Sequence, residues 1–448
     1  MENKELYDLT ASQKVIKLQF DHTLFKCVAN ILISETKEKE FDYEIMKKAI
    51  NILVERNDCL RIHFVKQGKV LKQYFEDKKV IEDIPCLKFE TKEEQDKFFN
   101  TTRKKVAKYL KGEVFIPHFI KTYDGKNMIF FKVSHFVVDM YGLYFLFDDL
   151  FKIYDALVNG TELPKEPRKF EDLIKHELTT AVNKDDEHEA YYKNIFQTRE
   201  EPTFLSFDGG KNKYCSARAK KGIRSGKFFL LRNDTDGFES SVSKDVTSKI
   251  MEYCEREKLS PANVLLYSLC VALSKINNDA KNLIPLELCN MRGTLAEKNC
   301  AGTKVKASAA YTTVDQNKTF NDAIHEYALE LIENHRHAYY PELKLEMLIH
   351  GTYKSSMLST YWPFSFSFVP FAMNKDWIYN VYSNGKSPQS AYIALFYNAS
   401  TGELNMGYDF VKLLMNKEDV AKFHDAYVSV LTQIGNNPNI LIKDIKVK

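Results

Sequence analysis

The chain has 448 residues, with 64 lysines and arginines against 61 aspartates and glutamates, and therefore a formal net charge of +3. This balance excludes a strongly basic nucleic-acid-binding protein and a chain with an acidic tail, while a 44% hydrophobic content with 31 phenylalanines excludes a disordered chain. The length predicts two or three domains, or one architecture of two lobes.

The compartment follows from the cysteines and from the apolar runs. No run approaches the roughly 18 apolar residues that a membrane helix requires, and the N-terminus, MENKELYDLT, carries charges where a signal peptide is apolar. The eight cysteines are scattered and include no CxxC pair. This pattern predicts a cytoplasmic protein with reduced thiols, with neither a disulfide framework nor a structural zinc site.

Strands and helices alternate through the first 180 residues. Asp42 is a suitable N-cap, Asp124-Gly125 is a hairpin turn, and Gly160 is a C-terminal helix stop. The predicted strands are 26–34, 60–65, 70–76, 115–123 and 128–135, and the predicted helices are 42–56, 91–111 and 143–160.

The segment 161–240 is polar and rich in charged residues, which predicts a connection between two lobes. The alternation then resumes, with Ser243, Ser260-Pro261 and Thr319 at helix starts. The predicted helices are 243–257, 260–276, a long helix from 319 and 417–434, and the predicted strands are 283–289, 361–371, 391–397 and 403–408. We therefore expect an α/β (α+β) fold with mixed sheets and two lobes, 1–180 and 181–448.

His135 stands apart from the other ten histidines. It ends an apolar strand directly before a loop and a hydrophobic helix, and α/β proteins place their chemistry at such strand ends. Local sequence leaves two readings open, a catalytic histidine and a structural one bonded to the backbone. Asp139 lies in so apolar a stretch that it needs a cationic partner.

His335 and His337 are two apart on a helix and point to different sides, so they do not form a chelate, and we expect no metal site.

The stretch SHFVVDMYG around His135 resembles the HHxxxDG signature of the condensation-domain acyltransferase superfamily, which is related to chloramphenicol acetyltransferase. Further segments in the same order are similar to that family. They are LTASQKVI, FDYEIMKKAINILVERNDCLRIHF, LYFLFDDLFKIYDALVNG, NMRGTLAEKNCAG, HRHAYYP, GELNMGYDF and PNILIKDIKV. The resemblance covers nearly the whole chain.

The resemblance implies a V-shaped pseudo-dimer of two chloramphenicol acetyltransferase-like lobes, with the signature histidine at the tunnel between them. His135 would be the second histidine of the signature and the general base or positioning group, since a neutral imidazole can accept the proton of the attacking nucleophile. Asp139 would be structural and would pair with the arginine of the "LR" strand, which is Arg61 here. On a strand, Arg61 would face away from Leu60, Ile62 and Phe64.

Two positions depart from the signature. Ser134 replaces the first histidine, which is a supporting position. Met140 replaces the glycine, whose backbone freedom lets a substrate arm approach closely. Methionine there would narrow the tunnel or change the loop, and Gly142 could restore flexibility.

Three further side chains are candidates for the lining of the tunnel. Tyr141 follows the signature directly. Ser365 and Ser367 share one face of the strand WPFSFSF, where a hydroxyl could hold the oxyanion or the acceptor. An ordinary strand with one wet face explains the two serines equally well.

The expected function is a condensation-type acyltransferase of nonribosomal peptide or related natural-product biosynthesis. It would join a thioester-bound acyl or aminoacyl donor, on the phosphopantetheine of a carrier protein or on CoA, to a small amine or alcohol. The chain is expected to hold no permanent cofactor, to bind neither nucleic acid nor a membrane, and to be a monomer. The Lys-rich stretch 218–227 would meet an acidic carrier or a CoA phosphate, or is a solvated linker. The alternative is a non-catalytic homologue that binds a carrier-tethered chain or a protein partner in the groove.

Overall fold

The computed structural model describes residues 4–23, 26–37, 40–180, 184–229, 233–369, 378–387 and 389–447. Within these ranges the helices are α1 (Ala11–His22), α2 (Tyr43–Arg56), α3 (Lys92–Thr102), α4 (Met140–Asn159), α5 (Phe170–Thr180), α6 (Asp185–Thr198), α7 (Lys213–Ala219), α8 (Lys244–Glu257), α9 (Pro261–Ile276), α10 (Leu295–Lys298), α11 (Phe320–Arg336), α12 (Glu342–Thr352) and α13 (Lys417–Asn436).

The strands in the same ranges are β1 (Tyr7–Asp8), β2 (Asn30–Lys37), β3 (Ile62–Gln67), β4 (Val70–Phe75), β5 (Cys86–Lys88), β6 (Phe115–Lys121), β7 (Asn127–Ser134), β8 (Gly226–Lys227), β9 (Thr235–Val242), β10 (Asn282–Leu283), β11 (Leu286–Asn290), β12 (Val305–Ala309), β13 (Thr312–Thr313), β14 (Ser359–Thr360), β15 (Ser365–Val369), β16 (Ile378–Tyr382), β17 (Ala391–Asn398) and β18 (Glu403–Val411). Parallel and antiparallel pairs both occur in the two largest sheets. The predicted mixed α/β class is therefore confirmed.

The chain divides into two compact units. The first comprises Met1–Val182, Asn290–Lys306 and Met373–Gly385, and the second comprises Asn183–Cys289, Ala307–Ala372 and Lys386–Lys448. The main division lies close to the predicted one at 180. Two later segments, which the sequence assigned to the C-terminal lobe, belong with the first unit.

The first unit is built on a five-stranded sheet in the order β16-β2-β7-β6-β5. Its centre is antiparallel, and the β6–β7 hairpin turns at Gly125, whose φ of 80° suits glycine. Helices α2 and α4 bury Leu53, Leu143 and Leu146 in the same core as Ile33 and Phe131 of the sheet. Strand β7 ends at Ser134, and the turn 135–139 leads from it into the buried helix α4.

The second unit contains a six-stranded sheet in the order β12-β11-β15-β17-β18-β9, apart from the residues of β11 and β12 at which the chain passes between units. Strand β15 pairs in parallel with both β11 and β17. Helix α9 is almost wholly buried against this sheet, with Leu266, Tyr267 and Leu269 at 0% exposure. No single helix of the described ranges is long and apolar enough to span a membrane, although the bent pair α8–α9 meets these criteria jointly.

The structure confirms most predicted elements but changes some of them. Short 3-10 turns, Lys26–Ala29 and Asp58–Arg61, precede β2 and β3 where continuous strands were predicted. The segment 161–240, predicted as a connection between lobes, also contains α5, α6, α7, β8 and the start of β9. Their apolar side chains, such as Phe170 and Phe196, are spaced within a charged background, which hid them. The end of the predicted strand 361–371 lies outside the described residues.

A buried glutamate in β2 gives the first unit an unusual pH dependence. Glu35 is 2% exposed, and its Oε2 atom has no hydrogen-bond partner among the described residues. Burial raises the pKa of Glu35 from 4.5 to about 8. At neutral pH the folded chain therefore holds a proton there that the unfolded chain releases.

Glu35→Gln is expected to gain stability over the native chain as the pH rises from 4.5 to 8. The native chain loses about 1.4 kcal/mol per pH unit in this window, because its folded state binds one proton more than its unfolded state. Above pH 8 the difference levels off. Urea unfolding of both chains at several pH values measures this difference in unfolding free energy. Glu55→Gln, at an exposed position, is the control. A difference that does not change with pH contradicts the buried, protonated Glu35.

Candidate functional site

His135 opens the turn that joins β7 to α4. Its backbone N–H donates to the carbonyl of Ala29 at 2.7 Å, and the N–H of Val137 donates to the carbonyl of Ser134 at 3.1 Å. Phe136 and Val137 are fully buried. These contacts anchor the backbone of the turn in the core, and the His135 side chain projects from it partly exposed.

The imidazole of His135 is set up to be neutral. Burial lowers its pKa, and the nearby charge of Asp139 and the carbonyls of His135 and Val138 only partly oppose this effect. Its Nδ1 atom makes no hydrogen bond of good geometry within the described residues. A neutral imidazole at neutral pH is a proton acceptor, which is the state that a general base needs.

Asp139 joins two parts of the first unit. It is the N-cap of α4, where its carboxylate accepts from the N–H of Gly142 at 2.8 Å. The same carboxylate accepts from the backbone N–H of Lys304 at 2.7 Å and from both terminal nitrogens of Arg292, at 2.9 and 3.1 Å. Asp139 is 2% exposed and Arg292 4%. The pair is thus a buried, bidentate ion pair that ties the start of α4 to the segment 290–306.

The predicted pairing of Asp139 with Arg61 was wrong. Arg61 ends a 3-10 turn instead of lying in a strand, so the strand alternation that aimed it inward does not apply. Its guanidinium donates to the carbonyls of Val54 at 3.1 Å and Glu55 at 3.2 Å, and also to that of Glu76. Arg61 therefore satisfies carbonyls at the C-terminal end of α2, which the helix itself leaves unpaired.

Arg292 is the site residue that the sequence reasoning missed. It lies in NMRGTLAEKNCAG, one of the segments that resemble the condensation-domain superfamily, and the sequence predicted no role for it. Its guanidinium also donates to Asn290 at 2.9 Å and to the carbonyl of Gly302, and it lies 4.5 Å from the ring centre of Tyr141. The sequence feature that could have identified Arg292 is that it is the only arginine of that segment, although it lies 153 residues beyond Asp139.

Met140 stands at the glycine position of the signature, and Gly142 follows two residues later. Met140 is the first residue of α4 and does not have a positive φ, so the helix backbone accommodates it without strain. Gly142 was expected to supply flexibility, but it supplies space. A Cβ atom there would lie 1.7 Å from the carbonyl oxygen of Ala301. Glycine at 142 thus lets α4 contact the segment 290–306 directly.

The remaining candidates of the first unit lie beside this pair. Ser134 is 1% exposed at the end of β7 and pairs with Asn30 of β2. The Tyr141 hydroxyl donates to the carbonyl of Lys298 at 3.0 Å, so the ring is anchored to the same segment that Arg292 holds. A supporting role for Ser134 and a lining role for Tyr141 stay predictions.

Ser365 and Ser367 belong to β15 of the second unit. Ser365 is fully buried, and its hydroxyl contacts the side-chain oxygen of Gln389 and the carbonyl of Ala391. Ser367 shares a hydrogen bond of 2.6 Å with the hydroxyl of Tyr392. Since both acceptors around Ser365 compete for its one proton, an oxyanion would have to displace them. The proposed roles of the two serines stay predictions.

Known proteins are similar to this chain in sequence and in fold. A family model described as "Condensation domain" matches residues 5–447. Surfactin synthase subunit 1 of Bacillus subtilis (strain 168) is 20% identical over 460 aligned positions, which cover 98% of this chain and 12% of that protein. This chain therefore spans a small part of that curated relative.

Two solved structures share the fold. A variant of the starter condensation domain of rhizomide synthetase, in complex with C8-CoA and Leu-SNAC, superposes with a TM-score of 0.77 at 14% identity, covering 99% of this chain and 97% of that one. The first condensation domain of the calcium-dependent antibiotic synthetase, in complex with a substrate analogue, gives 0.79 at 13% identity, with 99% and 100% covered.

Proposed function

The chain belongs to the condensation-domain family, and on this premise we propose that it joins the acyl or aminoacyl group of a thioester donor to an amine or hydroxyl acceptor. The family as a whole consists of acyltransferases. The observation that carries the proposal for this chain is His135, a partly exposed imidazole with a lowered pKa on a turn fixed by the core.

In the proposed reaction His135 is the general base. As the acceptor nitrogen or oxygen attacks the thioester carbonyl, the imidazole takes the proton that the nucleophile gives up. The tetrahedral intermediate then collapses, the carbon–sulfur bond breaks, and the proton returns to the departing thiolate. Because a thioester is already reactive, orientation of the two substrates contributes beside proton transfer.

Asp139 and Arg292 act as positioning residues in this proposal. Asp139 ends the turn that His135 begins and fixes the start of α4, and Arg292 fixes Asp139 from the other side. The charge of Asp139 also opposes the burial of His135, which keeps the pKa of the imidazole from falling further. In this proposal Asp139, held by Arg292, supports the turn that carries the base and raises the basicity of the base.

The donor is proposed to be a thioester of phosphopantetheine on a carrier protein, or of CoA, used as a substrate and not as a resident cofactor. The acceptor is a small amine or alcohol. The complexes of the rhizomide domain with C8-CoA and Leu-SNAC support these classes. We also propose that the chain is a monomer and that it is cytoplasmic, the second because its eight cysteines are scattered and include no CxxC pair.

The departure from the signature that would favour the non-catalytic alternative is Met140 at the glycine position. Met140 occupies an ordinary first helical position, so the backbone there does not argue against activity. A neutral imidazole is the state that the catalytic proposal requires of His135.

The purified chain is expected to release thiol and form product from an acyl thioester and an amine. The assay offers octanoyl groups on CoA, or on the phosphopantetheine of a carrier protein, with aminoacyl-SNAC acceptors, and follows free thiol and product mass. A markedly higher kcat/KM with one donor names the donor class. If no donor and acceptor pair reacts above the rate without protein, the chain is not an enzyme for these substrates, and carrier binding without turnover favours the non-catalytic alternative.

A further inference from the structure

The second unit brings three different metal-binding side chains together. They are Glu287 and Cys289 on β11 and His335 in the last turn of α11. One ligand atom from each lies within 4.8 Å of the other two. None of the three has a role in the proposed reaction.

Strand geometry accounts for two of the three. Side chains two apart on a strand share a face, so the carboxylate of Glu287 and the thiol of Cys289 point to the same side of β11. α11 ends over that face and adds the imidazole of His335. His337, two residues on, turns to His188 instead, at 3.0 Å between their Nδ1 atoms. His335 and His337 therefore contact different side chains.

The distances describe a compact cluster. The Nε2 atom of His335 lies 2.7 Å from Oε2 of Glu287, and the thiol of Cys289 lies 3.8 Å from the backbone oxygen of Glu287. Glu287 is 7% exposed and Cys289 6%, whereas the side chain of His335 is 37% exposed. The cluster is thus buried on its strand side and reachable from solvent on its helix side.

We propose that Glu287, Cys289 and His335 bind one Zn²⁺ ion, with water as the fourth ligand. A mixed set of sulfur, nitrogen and oxygen donors suits Zn²⁺, while Mg²⁺ and Ca²⁺ prefer oxygen ligands alone. The sequence alone predicted no metal site, because β11 and α11 are far apart in the chain and their meeting depends on the fold.

The geometry requires only a small adjustment. Ligands about 2.0–2.1 Å from a tetrahedral ion are about 3.3 Å apart. The gap between His335 and Glu287 must therefore widen by about 0.6 Å from the hydrogen-bonded distance, which side-chain torsions can supply. On binding, the thiol of Cys289 releases its proton, and the proton shared between His335 and Glu287 leaves as the ion takes its place.

The bound ion would tie the end of α11 to β11. Strand β11 lies between β12 and β15 in the six-stranded sheet. An ion that binds only the folded chain stabilises it, so Zn²⁺ is expected to raise the Tm of the chain.

The full chain, stripped with a chelator, is titrated with Co²⁺ and Zn²⁺. We expect one ion per chain, a thiolate-to-Co²⁺ charge-transfer band in the near ultraviolet, and displacement of Co²⁺ by Zn²⁺. Cys289→Ser is expected to lose the band. His335→Gln is expected to weaken Zn²⁺ binding by more than about 100-fold, because losing even an outer-shell partner costs 10–100-fold.

Matched controls come from the same unit. Cys215→Ser and His325→Gln, the second on the exposed face of α11, should bind as the native chain does. The native titration needs no variant to fold. Absence of the band in the native chain, or a band and stoichiometry that persist in Cys289→Ser and His335→Gln, overturns the site.

Discussion

His135→Ala is expected to lower kcat for thioester condensation by about 10²- to 10⁴-fold, the usual contribution of a positioned general base. Stability should change by less than about 1 kcal/mol. The side chain is partly exposed, and the bond from the His135 backbone to Ala29 survives the substitution. Initial rates with saturating donor, together with urea unfolding, measure both quantities.

The pH profile adds a second readout. Only the neutral imidazole accepts a proton, so activity is lost as the pH falls through the pKa of His135, which burial has lowered. The native chain should therefore keep its activity to below pH 6.5. After correction for ionisation of the acceptor, the residual activity of His135→Ala should lack this limb.

The matched control is His176→Ala, an exposed histidine on α5 of the same unit. It should leave rate, stability and pH profile unchanged. If His135→Ala loses stability and activity in parallel, His135 is the structural histidine that the sequence left open. If its activity is unchanged, the general-base role fails.

Local signals in the sequence identified the elements that depend on local chemistry. Asp42 caps α2 and accepts from the N–H of Ile45 at 2.9 Å, and Thr319 caps α11 in the same way. The Asp124-Gly125 turn joins β6 to β7 because glycine permits the φ of 80° found there. Caps and turns are fixed within four or five residues, so a single sequence contains them.

The same local signals failed where a contact with a residue distant in sequence determines the partner of a side chain. The sequence treated Asp139 only as one half of an ion pair and began the helix at 143, yet Asp139 is also the cap that starts α4 at Met140. The family resemblance implied Arg61 as the partner, and an assumed strand allowed that pairing, whereas the structure bends residues 58–61 into a 3-10 turn. Arg292 comes to Asp139 by tertiary folding, which periodicity does not report.

Asp139→Ala is expected to destabilise the first unit by about 3–5 kcal/mol, because it leaves the buried charge of Arg292 without its counter-ion. It also removes the cap on the N–H of Gly142 and the acceptor of the Lys304 N–H. The urea unfolding transition that reports the first unit measures the loss. Asp139→Asn should lose less, since an amide oxygen still caps α4.

A double-mutant cycle distinguishes the two candidate arginines. Asp139→Ala with Arg292→Met should show a coupling energy of about 1–3 kcal/mol, whereas Asp139→Ala with Arg61→Met should be additive within about 0.5 kcal/mol. The comparison is matched, because both arginines are buried and both also donate to backbone carbonyls. Coupling of Asp139 to Arg61 instead would restore the pairing that the sequence suggested.

Asp139→Asn also tests how Asp139 acts on His135. Removing the charge in Asp139→Asn takes away an effect that raises the pKa of His135, so the acidic limb of the activity profile should move to lower pH. A merely structural Asp139 would lower the amount of folded, active chain without moving that limb. A limb that stays in place, with activity and stability falling together, confines Asp139 to support of the fold. A limb that shifts shows that the buried pair sets the basicity of the histidine beside it.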